Sequence, residues 1–159
     1  MFAAKAGRHD EAASWAGEAL KVDRTDADAL YLLGTSEEAQ GHSDAARAAY
    51  RRAVTFDPDF REAFGALRRL ATAAGDRREA SYAQGMELLA AGDTDGALAT
   101  FRKLTAEAPD FAEAHEGLGL AYGKKGQRDE ATQAFRAALE RKPDLLLAQW
   151  NLRSPGSAN

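Results

Sequence analysis

Small and apolar residues recur along this chain at the three- and four-residue steps of an amphipathic helix. Ala46, Tyr50 and Ala53 form one such stripe, Ala97, Phe101 and Leu104 a second, and Ala131, Phe135 and Ala138 a third. In each, a small residue is followed four positions later by an aromatic ring on the same face. Upstream of each stripe runs another helical stretch with a glycine inside it, Gly34, Gly85 or Gly119. A glycine there costs about 1 kcal/mol relative to alanine, which a helix tolerates where another part of the chain must come close. The pattern therefore predicts pairs of helices that meet through a glycine on the first and an alanine and a ring on the second. Enlarging one of these alanines is expected to cost roughly 1–3 kcal/mol by overpacking.

Three prolines close the three pairs. Pro109 and Pro143 stand 143 − 109 = 34 residues apart, whereas Pro58 and Pro109 stand 109 − 58 = 51 apart, one and a half times that step. The unit 112–145 carries Leu118-Gly119, Tyr122, Gly126, Ala131, Phe135, Ala138 and Pro143. The unit 27–60 carries Leu33-Gly34, Gly41, Ala46, Tyr50, Ala53 and Pro58 at the same offsets, and the unit 78–111 carries Gly85, Leu88, Gly92, Ala97, Phe101, Leu104 and Pro109. This resembles the tetratricopeptide repeat, W-x2-L-G-x2-Y…A-x3-F…P. The chain departs from that pattern at His115, Leu30 and Ser81, where the family often has Trp, at Glu37 for the Tyr, and at Gln84 for the Leu. The resemblance implies an all-α, right-handed α-solenoid of antiparallel helix pairs, here of about nine helices with one unpaired or phase-shifting helix near 61–74. Helix starts are expected at three capping boxes with Asp as the cap, Asp59-x-x-Glu62, Asp76-x-x-Glu79 and Asp110-x-x-Glu113. Gly41, Gly92 and Gly126 are expected in the turns inside the pairs.

The 51-residue step leaves the segment 61–74 without a second helix in phase. One reading makes it a capping helix. Residues 1–75 are then a first array, holding a half repeat, the full repeat 27–60 and the cap. Residues 76–152 are a second array, with the repeats 78–111 and 112–145 and a terminal half repeat, and 153–159 are a flexible tail. Arg68 at the usually small position favours this reading, because a cap presents a polar outer face. In the other reading the helices keep alternating between layers, 61–74 pairs with 78–91, and every later helix changes layer. Both ends begin or stop in mid-repeat: 10–21 matches a second helix with only 1–6 left of its partner, and 145–152 starts another first helix. Half a repeat does not bury its own apolar face. Trp15, Leu146 and Trp150 are therefore candidates for an end-to-end contact.

Composition narrows the function. The formal charge is −4, which argues against nucleic acid, whose binding needs a basic stripe. The sole basic cluster, Arg68-Arg69 with Arg77-Arg78, reads as a solvated face. Without cysteine there is no disulfide or thiol chemistry, which suits cytoplasm and periplasm equally. No apolar run is long enough to insert directly into a membrane, and no secretory signal precedes the first helix. His115-Glu116 begins like a zinc-protease motif but has Gly119 in place of the second histidine. Gly117-x-Gly119 with Gly123 has the wrong spacing for a dinucleotide site. Asp93-Thr-Asp95-Gly96 is too short for a calcium loop. No catalytic residue, cofactor or metal is expected, and the chain does not read as an enzyme.

The resemblance implies a groove lined by the first helices that binds a protein or peptide partner. By position it carries Tyr31, Thr35 and Glu38 in the first unit, Tyr82, Met86 and Leu89 in the second, and Glu116, Leu120 and Lys124 in the third. Tyr82, Met86 and Leu89 would form an apolar patch, or would bury against 61–74. The carboxylate clamp of chaperone adaptors is absent, since Tyr31, Tyr82 and Glu116 replace its lysine. The expectation is a scaffold for a helix or an apolar peptide with basic flanks. A homo-oligomer joined through the half repeats, or a docking domain of a larger enzyme or envelope complex, is the alternative.

Overall fold

The computed structural model describes the backbone of residues 2–153 and side chains from residue 9 onward; the tail expected at 154–159 lies outside the described residues. The described residues form nine helices: α1 Phe2–Val22, α2 Ala27–Ala39, α3 Ser43–Phe56, α4 Arg61–Ala73, α5 Arg77–Ala90, α6 Thr94–Glu107, α7 Ala112–Lys124, α8 Arg128–Arg141 and α9 Leu146–Arg153. Each packs on the next in sequence. The segments 1–6 and 10–21, separate in the sequence reading, are not two helices, because α1 runs from Phe2 through both without a turn.

The glycine and ring pattern explains the pairing. Tyr50, Phe101 and Phe135 are buried at the positions the stripes predict. A Cβ on Gly34 would lie 2.5 Å from the Tyr50 ring, one on Gly85 2.5 Å from the Phe101 ring, and one on Gly119 2.7 Å from the Phe135 ring. The glycines thus remove the atom that would hold each ring away. Phe101 is seated twice, because Gly117 on α7 also abuts the same ring.

The turns separate two kinds of connection. Pro58, Pro109 and Pro143 lie between α3 and α4, α6 and α7, and α8 and α9. The turns inside the expected pairs instead hold a glycine with positive φ, as at Gly92 (φ 84°). Gly75, between α4 and α5, belongs to the second kind: φ is 74°, and the following Asp76 N–H donates to the Ala71 carbonyl at 2.9 Å. So α5 is the second helix of a pair with α4 and also the first helix of a pair with α6. This sharing is the physical content of the 51-residue step.

The layers follow. Arg47 and Arg51 of α3 bond Glu79 of α5, α5 touches α7, and α7 touches α9. On the opposite layer, Arg69 of α4 bonds Glu38 of α2 at 2.9 Å. The helices therefore alternate through α4, the second of the two arrangements weighed from sequence. One cluster of buried residues runs from Ala46 and Tyr50 through Phe64, Leu67, Met86 and Phe101 to Ala121.

The capping expectations hold in part. Asp76 accepts from the Glu79 N–H at 3.1 Å. Asp59 and Asp110 do not cap, because α4 and α7 start one residue late, with Phe60 and Phe111 in the cap position. Asp57 takes the Asp59 N–H at 3.0 Å, which turns the chain so that the Phe60 ring packs 4.9 Å from Tyr31. Phe111 likewise turns its ring onto Tyr82, 6.2 Å away. The caps that the sequence reading did not name are Asp26 and Asp93, which accept from Ala29 and Gly96 at 2.9 and 3.0 Å.

Two substitutions test this packing by thermal melts. Gly85→Ala is expected to lose about 1–3 kcal/mol despite its better helix propensity, because the Phe101 ring has no room to retreat. Gly17→Ala on α1, where nothing lies within 4 Å of the added methyl, is expected to gain roughly 0.5–1 kcal/mol. Equal effects would contradict the ring-and-glycine account.

Candidate functional site

Residues of α3, α5, α7 and the start of α9 enclose a groove of about 640 Å³. Arg51, Val54 and Thr55 of α3 form one wall, and Leu145 just before α9 with Leu146 and Leu147 at its start form the other. Leu67, Tyr82, Ala83 and Phe111 give it an apolar floor. Tyr82 holds that floor together, with its ring 6.5 Å from Phe64, 6.1 Å from Phe101 and 6.2 Å from Phe111. The aromatic pairs stiffen the junction of α4, α5, α6 and α7.

Carboxyls dominate the polar part. Asp76, Glu79, Glu113, Glu116 and Asp144 line the groove against Arg51, Arg78 and Lys142. Each cation is already engaged: Arg51 with Glu79, Arg78 with Asp110 at 3.0 Å, and Lys142 with Glu113 at 2.9 Å. Glu116 is different. It is only 4% exposed, and no cation pairs with it directly among the described residues. One carboxyl oxygen accepts the Ala148 N–H at 3.0 Å and so caps the first turn of α9. Burial pushes its pKa up to about 7 against the bond from Ala148, and the neighbouring Glu113 adds to the rise while the more distant Lys142 charge opposes it. The Tyr82 phenol is pushed well above its ordinary value, first by burial and then by Glu116 and Glu113.

The structure brings only part of the sequence-expected groove together. Tyr82 and Glu116 line it. Met86 and Leu89 do not: at 2% and 3% exposure they are core residues packed with Phe64 and Leu67, the burial against 61–74 that was the other expectation. Tyr31 is packed between Tyr50 and Phe60 on the opposite layer, and the Thr35 hydroxyl bonds the Leu32 carbonyl at 2.8 Å. Glu38 accepts from the buried Tyr50 hydroxyl at 2.9 Å and from Arg69, which ties α2, α3 and α4. Leu120 is half-buried against two core clusters, and Lys124 lies 3.7 Å from Asp59. The end residues Trp15, Leu146 and Trp150 are 74%, 66% and 63% exposed. The α3 wall was missed because α3 is a second helix; the signal that could have found it was Gly75, whose position announces that the layers continue. Of the histidines, His42 lies 2.8 Å from Glu37 and His115 3.0 Å from the Pro109 carbonyl.

The sequence profile of the tetratricopeptide repeat matches residues 3–60 and 82–145. The chain belongs to the tetratricopeptide-repeat family. The unmatched stretch between the two segments is α4 and the first turn of α5, where the repeat phase changes. Among solved structures it is similar to YrrB, a TPR protein with an unusual peptide-binding site, at 22% identity, with 94% of this chain and 86% of that one covered and a TM-score of 0.50. TTC0263, a thermophilic TPR protein of Thermus thermophilus, matches at 23% identity over 93% and 90% of the two chains, with a TM-score of 0.49. A MamA structure matches at 27% identity over 86% and 90%, with a TM-score of 0.44. The likeness to YrrB shows the α-solenoid fold. No curated protein matches the chain at a significant level.

Glu116 gives the site a signature in stability. A carboxyl raised from 4.5 to about 7 stabilises the fold fully below pH 4.5, and that contribution is lost as pH rises through 7. The difference amounts to about 3 kcal/mol at most. Glu116→Gln keeps an acceptor for Ala148 and carries no charge. Its stability relative to the parent is expected to rise from pH 5 to pH 8, as read by denaturant unfolding at each pH. A constant offset between the two proteins would contradict the assignment.

Proposed function

We propose that this tetratricopeptide-repeat protein is a non-enzymatic interaction scaffold that binds an extended or helical segment of a partner protein in the groove between α3 and α9. The observation that carries this reading is the groove itself, an apolar floor around Tyr82 under a predominantly acidic lining. A floor of rings and aliphatic carbons supplies binding energy, and charged walls select the partner. Such a surface suits an apolar segment with basic residues. Peptide binding by YrrB, whose fold is similar, is consistent with this use.

Thr55 is exposed on the α3 wall, so Thr55→Trp narrows the groove without entering the core. Probed against an immobilised array of random heptapeptides, the parent is expected to bind a subset, and Thr55→Trp to lose at least tenfold in affinity for it. Gln133→Trp, on an exposed face of α8, is the control and is expected to bind as the parent does. Binding unaffected by Thr55→Trp, or lost equally in both variants, would refute the groove.

The exposure of Trp15, Leu146 and Trp150 favours a second use, self-association through the ends of the helical stack. Sedimentation across a concentration series is expected to show oligomers that Trp150→Asp abolishes. A strict monomer at high micromolar concentration would dismiss this reading.

A further inference from the structure

We infer that the groove contains a cation-accepting subsite centred on Glu116, which takes a lysine or arginine side chain of the bound segment. The inference deepens the groove reading and rests on it. Glu116 combines three features rarely found together. It is almost wholly buried, it faces a groove open to a ligand, and no cation is directly paired with it among the described residues, Lys142 acting on it only from its pair with Glu113. Only one of its oxygens is used within the described residues, by the Ala148 N–H. A buried carboxylate without a directly bonded counter-charge is costly and stays partly protonated. An incoming ammonium or guanidinium would supply the missing charge and a charge-assisted hydrogen bond to the free oxygen.

The surroundings are suited to such a guest. From α5, Tyr82, Glu79 and Arg78 face the groove; from α3, Arg51; from α7 itself, Glu113; and from the α8–α9 connection, Lys142 and Asp144. The three cations in that set are held by Glu79, Asp110 and Glu113. None is directly paired with Glu116, so a guest cation enters without displacing an ion pair. Aromatic and aliphatic groups beside it, Tyr82 and Leu145, would flank the stem of a long basic side chain.

Recognition would then be linked to protons. Free Glu116 titrates near 7, and a cation beside it favours the ionised form. Binding near neutral pH therefore releases a proton from Glu116 to solvent. Between pH 6 and pH 8 the affinity for a cationic segment rises about tenfold, the ratio of the ionised fractions of a group with that pKa. His115, next in sequence, is bonded to the Pro109 carbonyl, and Glu116→Gln removes the Glu116 charge while leaving that histidine in place.

The test uses the whole chain and four acetylated, amidated heptapeptide pools, random except for a central Lys, Arg, Gln or Glu. Enrichment of the Lys and Arg pools is expected, with calorimetry of the strongest member in two buffers of different ionisation enthalpy reporting proton release. Glu116→Gln is expected to remove the preference, the release and the pH dependence while still binding the Gln pool. Binding without preference for a cation, or a preference that survives Glu116→Gln, overturns the subsite and leaves the groove reading intact. Absence of binding by all four pools overturns the groove reading and the subsite with it.

Discussion

Phe101 is the residue on which the architecture turns. Its ring is fully buried between Gly85 on α5 and Gly117 on α7, neither of which leaves room for a Cβ beside it. One aromatic side chain of a second helix therefore fixes the spacing of two first helices at once. Tyr50 against Gly34 and Phe135 against Gly119 repeat the arrangement with a single glycine each. Close packing leaves such contacts little slack, so the positions of α5 and α7, and with them the groove floor, follow from where the Phe101 ring can sit.

The second constraint is that α5 serves two pairs. It receives α4 through the Gly75 turn and offers its glycine face to α6 through Gly85. In a regular array the first helices would line one surface throughout. Here a second helix, α3, stands in the same layer as the first helices α5, α7 and α9, and the Arg47, Arg51 and Glu79 bonds fasten that junction. The groove consequently combines a basic residue of α3 with the carboxyls of α5 and α7. A phase change in the repeat thus becomes a change in the chemistry of the binding surface.

Much of this was legible in the sequence. The 34-residue step, the helical stripes and the internal glycines give the fold, because they express a local period and a local contact. Tyr82 and Glu116, whose offsets suggested a groove position, line the pocket between α3 and α9. Met86 and Leu89 lie on the same helix as Tyr82, but α4 covers them, and the offset of a residue within a repeat does not reveal a helix inserted from outside the pattern. Glu38 was drawn away by a partner 31 residues distant, Arg69. Two of the three capping boxes misled for a related reason: the rings of Phe60 and Phe111 have burial to gain at the cap position, and that outweighs an exposed aspartate bond. Contacts set by the repeat were readable; contacts set by its interruption needed the three-dimensional arrangement.

Sharing of α5 between two helix pairs places its Tyr82 ring against both neighbours, where nuclear Overhauser contacts report it. Tyr82 lies within 6.5 Å, ring to ring, of Phe64 on α4 and within 6.1 Å of Phe101 on α6. Cross-peaks from the Tyr82 ring protons to both rings are expected in the same sample. Cross-peaks to Phe101 without any to Phe64 would separate α4 from α5 and contradict that sharing.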